Sequence, residues 1–142
     1  MKFFISLITT SLLFFSGSLL AGSHGIKIML STKGPGAANP FWASVEQGAT
    51  DAAEEFGVEL VILAPIVESD VMSQISTVED TIAAGVDAIV IAPTDPSAVE
   101  SMLDDAMGGG VKVVFIDTNG TNDGVTFIGT NNEAGAGMAA QY

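Results

Sequence analysis

The sequence contains no cysteine and no arginine, and only one histidine, one tryptophan and one tyrosine. Without cysteine there is no disulfide framework, no thiol nucleophile and no thiolate metal site. All four basic residues are lysines (Lys2, Lys27, Lys33 and Lys112), against 17 acidic residues, for a formal net charge of -13. So few cations cannot neutralise a run of phosphates, which excludes nucleic acid as a partner. The lone histidine, His24, has no second histidine or cysteine to work with, so triad chemistry lacks a base. The carboxylate pairs Glu54-Glu55 and Asp104-Asp105 fall within helical stripes and read as solvated faces. No set of ligands is spaced for a metal. Catalytic residues, metals and cofactors are therefore not expected. At 142 residues the chain is one domain's worth. With 48% hydrophobic and 15% charged residues it is a globular composition rather than a disordered one.

Residues 1–23 stand apart. Lys2 is a short positive start, Phe3 to Phe15 is apolar, and Ala21-Gly22-Ser23 offers small residues for cleavage. This is the pattern of an export signal, which places the remaining chain, 24–142, outside the cytoplasm. The alternative is an uncleaved anchor, since Phe3 to Ala21 nearly reaches membrane-spanning length. Ser23 in place of cysteine excludes lipid anchoring at that site.

Beyond the signal, short Val/Ile-rich runs alternate with longer amphipathic segments. Ile26 to Leu30, Val58 to Ala64, Val86 to Ala92 and Val111 to Ile116 are near-continuous apolar runs, as expected of strands buried on both faces of a parallel sheet. Between them, Phe41, Val45, Ala49, Ala52 and Phe56 recur at helical spacing. So do Met72, Ile75, Val78 and Ile82, and then Val99, Met102, Leu103 and Ala106. Asn39-Pro40 and Asp95-Pro96 are helix starts, with Ser69 or Asp70 between them. Gly57, Gly85 and Gly108 follow the stripes, where a left-handed residue ends a helix. Val125 to Ile128 makes a further short strand, and Asn131 or Asn132 caps a helix from about Glu133. The pattern predicts a doubly wound, mostly parallel α/β sheet with helices on both faces.

Ligands of such sheets bind beyond the carboxyl ends of the strands. The loops there are rich in Thr, Asn and Asp and poor in cations, which suits a neutral hydroxylated molecule better than a phosphate. Gly34-x-Gly36-x-x-Asn39 is a near miss to a dinucleotide fingerprint. Asn39 replaces the third glycine, and the nine residues from Ser31 to Asn39 are too many for a tight phosphate turn. Asn39 can cap a helix and still face the cleft. Phe41 and Trp42 are neighbours, so they point about 100° apart around a helix. One or both can face the cleft; otherwise Phe41 packs on the sheet and Trp42 covers a loop. Asp117 follows a buried strand, where it either serves a ligand or caps the next turn.

In order along the chain, Ser31, Asn39-Pro40-Phe41-Trp42, Gly57, Gly85-Val86-Asp87-Ala88-Ile89, Pro93-Thr94-Asp95, Gly110 to Val114, Ile116-Asp117 and Gly129-Thr130-Asn131-Asn132 resemble a known family. From about Ile26 to Tyr142 the chain resembles the N-terminal part of periplasmic sugar-binding proteins of the ribose-binding type, which serve bacterial ABC importers. The resemblance implies an incomplete N-terminal lobe of a two-lobed protein, with a C-terminal lobe missing and a sugar held between the two. It implies a ligand-binding set of Asn39, Phe41, Trp42 and Asp117, with Ser31 and Thr118 beside them. Asn39 and Asp117 would bond hydroxyls, and the two rings would flank the sugar. The implied partners are a small neutral sugar or polyol and an ABC permease, or a chemoreceptor. The ribose-type pattern has arginine where Thr118 stands, and many relatives have aspartate where Asn131 stands, so ribose itself is not singled out. Two other readings compete. One is a nucleotide-binding α/β enzyme fragment with a degenerate glycine loop. The other is the ligand core of a lactose-repressor-like regulator, which would need a basic N-terminal module absent here.

Overall fold

A computed structural model describes residues 25–141. The expected export signal at 1–23 lies outside the described residues. Five strands and four helices follow in the order β1 (Lys27–Ser31), α1 (Pro40–Phe56), β2 (Glu59–Leu63), α2 (Val71–Ala83), β3 (Ala88–Ile91), α3 (Pro96–Gly108), β4 (Lys112–Ile116), β5 (Thr126–Ile128) and α4 (Asn132–Ala139). The strands form one sheet in the order β2-β1-β3-β4-β5, every pair parallel. The expected doubly wound α/β architecture is what the chain adopts. The chain reverses its direction across the sheet at β1 and β3, where ligands of such sheets bind.

Alternation along the strands divides the sheet into two faces. Met29, Ile89, Ile91, Val113 and Phe115 point one way and pack with Val78 of α2 and Val99 and Leu103 of α3, forming the main core. Ile28, Leu30, Leu60 and Val90 point the other way, toward Ala49, Ala53 and Phe56 of α1. That second face is covered by α1 more sparsely, and Phe56 remains 72% exposed. Among the described residues, no helix is long and apolar enough to cross a membrane.

The helix starts follow their caps. Asn39 accepts from the Phe41 amide, Asp70 from Ser73, Asp95 from Ser97 and Ala98, and Asn131 from Ala134. Asp95 satisfies two first-turn amides, so Asp95→Ala is expected to lower unfolding free energy by about 1 kcal/mol. A urea titration followed by circular dichroism checks this; an unchanged midpoint would refute it. Gly57 ends α1 at φ 65, as expected. Gly108 does not play that part: it is the last residue of α3, and the positive φ, 101, falls at Gly110. Three consecutive glycines left the exact break undetermined. Helix α4 begins one residue earlier than expected, at Asn132, because Asn131 is the cap.

Candidate functional site

Four segments meet beyond the carboxyl ends of the strands: the loop after β1, the loop before α2, the turn after β4 and the segment after β5. An open pocket of about 350 Å³ lies there on the α1 face, lined by Phe41, Val45, Ile116, Asp117, Ile128 and Thr130 among others. Parallel pairing sets Ile116 opposite Ile128, which gives the pocket its apolar floor. A larger hollow of about 540 Å³ sits between the far ends of α2 and α3. Its carboxylates, Glu79 and Asp105, are exposed and of like sign, and it brings no donors and acceptors together around a ligand.

Asp117 occupies an unusual backbone position. Its φ is 57, the only positive value among the described non-glycine residues. Aspartate tolerates this region better than most residues, but it still costs energy there. The side chain is held from two sides. Lys33 Nζ lies 3.1 Å from Oδ2, and the Thr118 hydroxyl donates to the same oxygen at 3.2 Å. Lys33 also donates to Thr118 Oγ1, closing a triangle. Asp117 Oδ1 has no partner among the described residues.

The aromatic pair divides its duties. Phe41 is 51% exposed and lines the pocket, whereas Trp42 is 2% exposed. Trp42 points its indole N–H to Glu68 Oε1, and its ring meets Phe41 edge-on at 4.8 Å. Of the two rings expected to flank a ligand, only Phe41 lines the pocket, and Trp42 is buried. Of the alternative, Trp42 does lie against a loop, the one carrying Glu68, whereas Phe41 is half exposed rather than packed away. The loop carrying Glu68 decides the matter, because an indole N–H needs a partner once buried.

Asn39 is held at both ends of its amide. Its Oδ1 caps α1, and its Nδ2 donates to Glu68 Oε1 at 3.2 Å. Ser31 is 1% exposed and does not reach the pocket. Strand alternation puts it on the same face as Met29, beneath α2, where Gln74 Nε2 donates to its hydroxyl at 3.2 Å. The structure therefore brings Phe41, Asp117 and Thr118 together, sets Asn39 and Trp42 behind them around Glu68, and leaves Ser31 in the interior.

Three participants were not expected. Lys33 had a usable signal, since it is one of four cations in the whole chain and stands just past a strand's carboxyl end. Glu68 had none, because it meets Asn39 across 29 residues of sequence. Gln74 is buried and ties α2 to the ends of both central strands: Nε2 donates to Ala92 O at 2.9 Å, and Oε1 accepts from the Thr94 amide at 2.8 Å. A polar residue inside an apolar stripe carries no periodic signature.

Residues 33–142 match the model of the periplasmic binding protein domain. The ribose import binding protein of Bacillus subtilis is 37% identical over 105 residues, which are 73% of this chain and 34% of that protein. The D-ribose/D-allose-binding protein of Pseudomonas aeruginosa is 37% identical over 114 residues, 74% of this chain and 36% of the relative. Among solved structures, a carbohydrate transporter solute binding protein from Agrobacterium radiobacter, in complex with D-arabinose, superposes with a TM-score of 0.74 at 30% identity. It covers 84% of this chain and 40% of its own. An ABC transporter solute binding protein from Burkholderia graminis, also with D-arabinose, gives 0.73 at 34% identity over 82% of this chain and 39% of its own. The chain thus spans about a third of the length of the curated relatives it matches. On the family match, the ordered motifs and the parallel sheet together, the chain belongs to the periplasmic binding protein domain family.

Proposed function

We propose that this chain supplies one wall of the ligand site in a solute-binding component of an ABC importer. It takes a neutral monosaccharide or related polyol in the periplasm for delivery to a membrane permease. Residues 1–23 are then the export signal, and 24–142 part of the N-terminal lobe, with the second wall supplied by a C-terminal lobe. The observation that carries this reading is the pairing of the exposed Phe41 ring with the Asp117 carboxylate in one open pocket. An aromatic face suits the C–H side of a sugar, and a carboxylate suits its hydroxyls through charge-assisted hydrogen bonds. The relatives named for ribose, allose and arabinose support the same class of ligand. Trp42 acts from behind as a brace for Phe41, and Asn39 fixes the start of the helix that carries both.

A pocket with one wall forfeits the contacts of the other. Binding of D-ribose, D-arabinose or D-allose by this chain is expected to be weak, with a dissociation constant of about a millimolar or more. Proton–nitrogen correlation NMR at up to tens of millimolar sugar should move the amides of Phe41, Asp117, Thr118 and Thr130. A micromolar constant by calorimetry contradicts the one-wall reading. Shifts with NAD or ATP and none with any sugar would replace the reading with a nucleotide site.

A further inference from the structure

We propose that Asn119-Gly120, in the turn after β4, is a site of spontaneous deamidation, a covalent change two residues beyond Asp117. The reaction needs a side-chain amide within reach of the next residue's backbone nitrogen, with neither group tied down. Asn119 is exposed, and its amide has no hydrogen-bond partner among the described residues. The Gly120 N–H has none among them either. Glycine leaves that nitrogen unshielded and gives the backbone freedom to bring the two groups together. Packing also demands glycine here. A Cβ at Gly120 would stand 2.0 Å from Phe115 Cζ, and Phe115 is completely buried. The fold thus keeps the reactive neighbour in place whatever happens at 119.

The other four of the five asparagines are each held back. Asn39 precedes Pro40, which has no N–H to lose. Asn122 is 8% exposed, and its Nδ2 donates to Glu100 O at 2.9 Å and to Asp104 Oδ1 at 2.8 Å. Asn131 spends its Oδ1 on the Ala134 amide at 2.9 Å. Asn132 opens α4, where helical dihedral angles hold the next nitrogen away from the side-chain carbonyl.

The Gly120 nitrogen attacks Asn119 Cγ. A bond forms between them, the Cγ–Nδ2 bond breaks, and Nδ2 leaves as ammonia with the proton that Gly120 gave up. Water then opens the five-membered imide. Cleavage of the bond from nitrogen to Cγ leaves aspartate. Cleavage of the bond from nitrogen to the main-chain carbonyl leaves isoaspartate, in which the backbone runs through the side chain. The sum is one amide and one water converted to one carboxylate and ammonium. Either product adds a negative charge next to Thr118, whose hydroxyl joins Lys33 and Asp117. Isoaspartate also adds a methylene to the main chain between Thr118 and the Gly120 backbone that packs on Phe115.

The test ages the full chain, folded, in mildly alkaline buffer beside Asn119→Gln, whose longer side chain disfavours the ring. Gly120→Ala is avoided because it collides with Phe115. Circular dichroism confirms that both chains are folded at the start. Isoelectric focusing should show the unaltered chain gaining a band more acidic by one charge, faster at higher pH, while Asn119→Gln stays as a single band. Cleavage before aspartate, followed by tandem mass spectrometry, should place the lost amide at 119, with isoaspartate and aspartate both present. In NMR spectra, a second set of Asp117 and Thr118 amide signals should grow in step with the acidic band. Isomerisation at Asp123-Gly124 leaves charge and amide count unchanged, so it cannot imitate this result. An amide at 119 that survives in the folded chain but is lost in urea overturns the proposal, because the fold then holds the two groups apart. First loss at Asn122, Asn131 or Asn132 overturns it as well, and so does the same acidic band from Asn119→Gln.

Discussion

Gln74→Leu is expected to destabilise the domain by about 3 kcal/mol, although leucine fits the apolar surroundings of α2. Gln74 is 1% exposed and spends its whole amide on backbone and hydroxyl partners. Removing it strands the Ala92 carbonyl and the Thr94 amide, and it also takes a donor from Ser31. A buried polar group left without a partner costs about 1–3 kcal/mol, and two of them are involved. In a domain of this size the melting temperature should fall by about 10–20 °C. Ser76→Ala, an exposed change on the same helix, should stay within about 0.5 kcal/mol. Urea unfolding of both variants checks the claim, and similar midpoints for the two would refute it. The expected loss extends to the site, because Gln74 joins the ends of β1 and β3 where the Lys33 loop begins.

The second large effect concerns Asp117. On the proposed sugar-binding function, Asp117→Ala is expected to reduce sugar binding about a hundredfold. The carboxylate oxygen left open to a hydroxyl, Oδ1, disappears, and Lys33 loses its counter-ion. Asp117→Asn separates charge from shape. Asparagine tolerates the left-handed backbone as aspartate does, so this variant should keep its fold while still weakening binding about tenfold or more. NMR titration with D-ribose measures both. Binding of D-ribose by Asp117→Ala at the unaltered level would remove the carboxylate from the site.

These two residues also mark where reading the sequence succeeds and where it stops. The strands were legible because parallel strands covered on both faces leave long Val/Ile runs, and the helices because Asn39-Pro40 and Asp95-Pro96 announce them. Asp117 was legible by position, as a carboxylate at the end of a buried strand. Gln74 was not, since periodicity registers apolar side chains and passes over a polar one that faces the same way. The roles of Phe41 and Trp42 were undetermined for a different reason. Which ring turns outward depends on Glu68, and nothing in the sequence places that loop against the helix start. Ser31 was misplaced because its position at a strand end suggested the cleft. The alternation that puts Met29 under α2 puts Ser31 there too.

The Lys33–Asp117 pair joins residues 84 positions apart. Every strand pairing in the sheet is parallel, so none can form through a short hairpin. Lys33 and Asp117 can meet only after β3 has bridged β1 to β4, which requires the β1–β3 and β3–β4 pairings to have closed. Loop-closure entropy therefore weighs on this ion pair more than on any helix. The open pocket therefore depends on the central pairings: any fluctuation that parts β1, β3 and β4 also separates Lys33 from Asp117.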